Sequence, residues 1–206
     1  MSMIVDYYFS SISPFSYLGH ETLCTVADRQ KATLRFLPVD LGIVFPAAGV
    51  LPLAKRSEAR KRYRLVELQR IAEMRDVPIQ PQPASFPTDP SLADRIVIAL
   101  CQSDFDPRNF MLETFRSLWT RDQNIADEAV LRQILATCDL PQDKIIQEAG
   151  SDVVARQRQD NSEQAVAIGV QGVPTYALNG ELFFGQDRIE YLESALMTGR
   201  KPYTAQ

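Results

Sequence analysis

The first forty residues constrain the fold most. Residues 3–9, within "MIVDYYF", are rich in β-formers and alternate weakly, so they read as a strand. Ser13-Pro14 follows, a good N-cap and a residue suited to the first helical position. Phe15, Leu18, Gly19, Leu23, Val26 and Ala27 then mark one face of a helix reaching about residue 30. "ATLRFLPVDL" reads as a second strand. Parallel strands need a crossover of roughly a dozen residues or more, and this helix supplies one, so the three elements predict a parallel βαβ unit.

The middle of the chain has another character. Residues 45–54, "FPAAGVLPLA", read as a loop, and a long helix is expected from about 57 to 75. "VPIQPQPASFPTDP" holds five prolines and fits neither a helix nor a central strand. Helical stripes follow near 90–103, 107–120, 124–138, 141–149 and 151–168. The end returns to β: "VPTYAL" and "ELFFG" flank Asn179-Gly180, a strong hairpin signal. "DRIEYLESAL" closes the chain as a helix, with Asp187 and Glu190 at capping-box spacing. The sum is α/β: a thioredoxin-like βαβ…ββα fold with a large all-helical insertion. Residues 1–44 and 166–206 are expected to form the thioredoxin-like domain, and 45–165 the insertion domain.

Composition excludes several functions. The net charge of −4 offers no global attraction to nucleic acid or an anionic membrane. The N-terminus lacks a basic n-region and a long apolar stretch, so neither a signal peptide nor a membrane span is expected. Cys24, Cys101 and Cys138 are dispersed in apolar helical runs and read as small core residues in a reducing compartment, the cytoplasm. A single histidine, His20, argues against a His-based metal centre or a Ser-His-Asp triad, and no metal is expected.

Three local features bear on chemistry. Ser13 stands at a helix N-terminus, where free N–H groups and the helix dipole favour an anion, and its position is one where a thiol redox protein would carry Cys-Pro-x-Cys. With no base beside it Ser13 is a poor nucleophile, but its hydroxyl can donate to a ligand thiolate and lower that thiol's pKa. "GVPT" places Pro174 at the start of a strand facing that helix end, a position suited to a cis bond. Val173 before it would then offer its backbone N–H and C=O to an added peptide strand. In "FGQDR", Gln186 and Asp187 at the last helix start suit an α-amino acid head group. Each has a plainer reading alone: an N-cap at Ser13, a turn proline at Pro174, an N-cap at Asp187. Together they describe a cleft for glutathione. The run "KRSEARKRYR", residues 55–64, has six basic residues and one acidic, and reads as a solvated face from which one or two side chains reach a carboxylate in the cleft.

"VDYYFSSISPFSYLG", "VELQRIA", "GVQGVPTYALNGELFFGQDRIEYLESAL" and the lone Trp119 resemble the 2-hydroxychromene-2-carboxylate isomerase family, of the DsbA-like, kappa-class glutathione transferase group. The resemblance runs over nearly the whole chain. It implies a glutathione-dependent isomerase of 2-hydroxychromene-2-carboxylate, giving trans-o-hydroxybenzylidenepyruvate, or of a related aromatic ring-fission product. The alternatives are a kappa-type glutathione transferase or peroxidase, or a non-catalytic glutathione-binding module. By position it implies Ser13 as the catalytic serine holding the glutathione thiolate. Val173 and Pro174 fall on the strand-pairing site, Phe184, Gly185, Gln186 and Asp187 on the γ-glutamyl segment, and Arg60 where relatives carry a Lys near the glycine carboxylate. Ala54 and Asp89 stand where relatives carry Asn. Tyr7, Phe15, Phe86, Phe115 and Trp119 are candidates for the wall of an apolar substrate pocket or for ordinary core. A homodimer is implied by the resemblance alone.

Overall fold

The structure is a computed structural model that describes residues 3–204. Strand β1 (Ile4–Phe9) leads into helix α1 (Pro14–Gln30) and strand β2 (Thr33–Pro38). Helices α2 (Leu41–Ala47), α3 (Glu58–Arg75), α4 (Ser91–Gln102), α5 (Arg108–Trp119), α6 (Glu128–Thr137), α7 (Gln142–Ala149) and α8 (Asp152–Ala167) follow. Strands β3 (Thr175–Leu178) and β4 (Glu181–Phe184), a 3-10 turn over Gln186–Arg188 and helix α9 (Ile189–Thr198) complete the chain.

The sheet order is β2-β1-β3-β4. β1 and β2 are parallel, with Ile4 opposite Thr33 and Phe9 opposite Pro38, as the crossover through α1 requires. β3 runs antiparallel to β1, with Tyr8 opposite Thr175, and β4 antiparallel to β3. Asn179 and Gly180 turn the hairpin with φ of 52° and 87°, the two positive values that the tight primed turn needs. The thioredoxin-like order expected from the sequence is therefore present.

Period-two alternation divides the sheet between two cores. Val5, Tyr7 and Phe9 of β1 and Tyr176 and Leu178 of β3 face a large cluster that also takes residues of α1, α4–α7 and α9, including Ile96, Phe115, Trp119, Ile145 and Leu192. Tyr8, Leu37 and Ala177 face a smaller cluster closed by Val44 of α2 and Ala165 of α8. Each large apolar side chain so buried contributes roughly 1.5–3 kcal/mol. The expected domain boundaries at 44/45 and 165/166 fall inside α2 and α8. Among the described residues no helix is long and apolar enough to cross a membrane.

Several local expectations need correction. The stretch from 45 is not all loop: α2 forms because Asp40 Oδ1 accepts the Gly42 N–H at 2.7 Å and Val44 packs against the sheet. β2 accordingly ends at Pro38. α6 starts at Glu128 rather than 124, where Asp127 Oδ1 accepts the Ala129 N–H at 2.9 Å. Cys101 is exposed, since its side of α4 faces away from the core, whereas Cys24 and Cys138 pack against it. Asp187 does not cap the last helix. The Arg188 N–H bonds back to the Gly185 carbonyl at 3.0 Å, closing a 3-10 turn, and α9 begins after it with no side-chain cap.

Candidate active site

Ser13 is the N-cap of α1. Its Oγ accepts the Ser16 N–H at 3.1 Å, its own N–H donates to Ser10 O at 2.9 Å, and Pro14 opens the helix. Ser13 Oγ is thus used as an acceptor, and among the described residues no bond uses its hydrogen. Ser16 Oγ is buried without a partner. The first turn of α1 itself contains no acidic side chain, in contrast to α3, α6, α7 and α8.

The loop before Ser13 is held from behind by a buried charge. Asp94 of α4 has no solvent exposure. Its Oδ1 accepts the Ser11 N–H at 2.8 Å, and its Oδ2 accepts Ser10 Oγ at 3.4 Å. Arg158 of α8 donates to the same Oδ2 through Nε at 3.1 Å and Nη2 at 3.0 Å, and through Nη1 to Asp40 at 3.1 Å. Three segments distant in sequence therefore meet behind the first turn of α1.

In front of that turn lies a cleft of about 1060 Å³. Phe15 of α1, the Val173-Pro174 pair, residues Phe184–Arg188 and one face of α3 line it. The Val173–Pro174 bond is cis, as anticipated for a proline facing the helix end. Among the described residues no hydrogen bond uses the Val173 N–H or C=O, whereas the Pro174 carbonyl accepts the Gly185 N–H at 2.9 Å. Gly185 has φ of 107°, a conformation that favours glycine. Gly19 of α1 allows the closest approach, since a Cβ there would lie 2.8 Å from Gln186 Cβ.

The structure thus gathers Arg60, Val173, Pro174, Phe184, Gly185, Gln186 and Asp187 around one cleft; Ser13 is buried and is not among the residues that line it, the nearest in the chain that does being Phe15. Gln186 is partly committed. Arg75 Nε donates to its Oε1 at 2.5 Å and Nη2 to its carbonyl at 2.7 Å, leaving the amide nitrogen for a ligand. Arg75, absent from the sequence reading, also reaches Glu190 at 3.2 Å and is only 11% exposed. The cue was available: Arg60, Tyr63, Arg64, Glu67, Arg70, Ile71, Met74 and Arg75 recur at three- and four-residue spacing along one face of α3. Of the aromatic candidates, Phe15 lines the cleft and Phe86 a smaller neighbouring pocket. Tyr7, Phe115 and Trp119 are fully packed in the core and form no cleft wall. Asp89 accepts both the N–H and the hydroxyl of Ser91 at 2.9 Å, so its carboxylate serves the start of α4. His20 is buried on α1 with Nε2 3.0 Å from Arg108 O, and burial holds its pKa down at about 4.

A family model for the DSBA-like thioredoxin domain matches residues 4–197. The chain belongs to that family. A protein from Pseudomonas putida named 2-hydroxychromene-2-carboxylate isomerase is 30% identical over 199 residues, covering 94% of each chain. A glutathione S-transferase kappa 1 from Caenorhabditis elegans is 24% identical over 209 residues, 93% of this chain and 90% of that one. A solved structure of a selenomethionine 2-hydroxychromene-2-carboxylate isomerase superposes with a TM-score of 0.81 at 26% identity, over 95% of each chain. These relatives support an enzyme of the isomerase and transferase branch of this DsbA-like family.

Proposed function

We propose that the chain is a glutathione-dependent isomerase of 2-hydroxychromene-2-carboxylate or a related aromatic ring-fission product, with Ser13 holding the glutathione sulfur as thiolate. The observation that carries this reading is the state of the first turn of α1. A hydroxyl with an uncommitted hydrogen stands at the positive end of a 17-residue helix, in a family scaffold whose named relatives include such isomerases. The name of the nematode relative supports glutathione as the thiol.

The residues present fit that tripeptide. The unpaired Val173 N–H and C=O can add a peptide strand. Asp187, with an exposed carboxylate, can hold the α-ammonium group, and Arg60 a carboxylate. Bound glutathione would supply the sulfur that adds to a conjugated double bond and later leaves, so that the bond rotates while single and no net oxidation occurs. Ser13 and the helix N-terminus favour the ionised sulfur and keep it in place. Ser16, the second hydroxyl where a redox protein would carry sulfur, removes the partner for a protein disulfide.

The test is titration of the chain with glutathione, followed by ultraviolet thiolate absorbance across pH. Wild type should hold a thiol well below the ordinary value of about 8.5. Ser13→Ala should return it at least about one unit toward that value, with roughly 1 kcal/mol lost from the helix cap. Turnover of 2-hydroxychromene-2-carboxylate should fall with it. Unchanged binding, absorbance and turnover in Ser13→Ala would reduce the serine to a cap.

A further inference from the structure

The smaller pocket beside the cleft has a volume of about 210 Å³ and is lined by apolar residues including Leu65, Pro83 and Phe86. Arg64 of α3 lines both cavities. Its guanidinium lies 5.4 Å from the centre of the Phe86 ring and 5.9 Å from that of Trp119. Phe86 and Trp119 are themselves 5.0 Å apart and tilted by 45°, so the three groups form one cluster.

Arg64 is unusual in what it lacks. Among the described residues, every other half-buried arginine donates to an oxygen: Arg75 to Gln186, Arg108 to Asp28, Arg116 to Glu113, and likewise the rest. Arg64 donates to none, and no carboxylate acts on it. Burial, reinforced by the charge of Arg56, pulls its pKa down to about 10. A guanidinium carries five donors in a planar fork suited to carboxylate, and those of Arg64 are open to a ligand: the side chain is half-buried at the cleft, and none of its nitrogens is among the fully buried, unpartnered atoms. The two rings within about 6 Å attract its charge but satisfy none of these donors. A second donor in the cluster is also unmet: Trp119 Nε1 is buried with no partner.

The geometry points to Arg64 as the residue that selects an anionic second substrate: a planar carboxylate received by its guanidinium, with the attached aromatic group lying against Phe86. This rests on the isomerase reading for the presence of a second substrate, and assigns to Arg64 what the thiol site does not determine. Lys61, the other cation at the smaller pocket, is engaged by Glu58 at 2.8 Å, which leaves Arg64 as the open cation there among the described residues.

Calorimetric titration of the full chain with benzylidenepyruvate, an aromatic conjugated acid, and benzylideneacetone, its neutral counterpart, tests this. Wild type should bind the acid about 10- to 100-fold more tightly, the range for hydrogen bonds to a charged group. Arg64→Leu should abolish that preference while leaving benzylideneacetone and glutathione binding within about threefold, and Arg64→Lys should restore only part of it. Circular dichroism confirms folding of each variant. The assignment is overturned if wild type binds the acid no better than the ketone, if the preference survives Arg64→Leu, or if both ligands weaken equally. Acid selection through Arg64 in a chain that binds no glutathione would end the thiol reading and leave this assignment standing.

Discussion

Asp94→Ala probes how the first turn of α1 is held. Asp94 is fully buried and its partner Arg158 is 12% exposed, so the pair lies in a medium where an unpaired charge is poorly solvated. Removing one member of such a pair costs about 3–5 kcal/mol. The lower end applies, because Arg158 keeps Asp40, which is 43% exposed. The Ser11 N–H also loses its acceptor. About 3 kcal/mol is a large part of a typical stability of roughly 5–15 kcal/mol. With a urea slope of about 1–3 kcal/mol/M, the unfolding midpoint should drop by roughly 1–3 M. Asp94→Leu combined with Arg158→Met should regain much of this, since well-packed apolar groups replace a buried pair at little cost. It should not regain glutathione affinity, because Ser10 and Ser11 remain unheld and Ser13 hangs from Ser10 O. A loss below about 1 kcal/mol for Asp94→Ala, the range of an exposed ion pair, would refute the reasoning. So would full recovery of glutathione binding in the double variant.

Two further outcomes can be measured on the same footing. His20 titrates near 4 when folded, against about 6.5 when unfolded, so the unfolded chain binds the extra proton first. Its contribution is fully present above about pH 6.5 and is lost as pH falls toward 4, a total of about 3 kcal/mol. The difference between unfolding free energies from urea titrations at these two pH values should shrink by that amount in His20→Phe, and an unchanged difference would contradict the assignment. Arg75→Met removes the bonds to Gln186, Thr22 and Glu190. It should lower stability by roughly 2–3 kcal/mol and weaken glutathione binding by calorimetry, whereas intact binding would show that Gln186 needs no anchor.

The elements legible in the sequence are those decided by neighbours in the chain. Ser13 with Pro14, and Asn179 with Gly180, carry local chemistry strong enough to place α1 and the β3–β4 hairpin, and the stripes of α3–α8 needed only their periodicity. Helix α2 was hidden because its seven residues include Gly42 and Pro46, and it is held by Val44 packing against Tyr8 and Ala165. Asp94 reads as an ordinary acid in the first turn of α4, yet its partners lie 83 and 64 residues away. The run 55–64 was recognisable as basic, but charge density does not tell which cations are already paired. Within it, Lys61 is answered by Glu58 and Arg56 by the Leu51 carbonyl, while Arg64 is left open, which only the folded structure shows.

The placement of charge around the cleft bears on how a ligand is received. Six arginines line it against three carboxylates, on a chain whose net charge is −4. A local field opposite in sign to the whole molecule favours anionic ligands at that face and raises their encounter rate in a salt-dependent way. The arginines come chiefly from α3, whereas Ser13, Val173 and Asp187 come from the βαβ and ββα ends of the chain. A tripeptide thiol and a carboxylate-bearing electrophile therefore place different demands on the two parts. The chain ends present hydrogen-bonding groups at fixed positions on a sheet and helix, and α3 presents charge. On the proposed reading, substitutions along α3 at Arg60 or Arg64 should alter which anion is accepted without disturbing the first turn of α1, because Asp94 of α4 and Arg158 of α8 hold the residues before that turn.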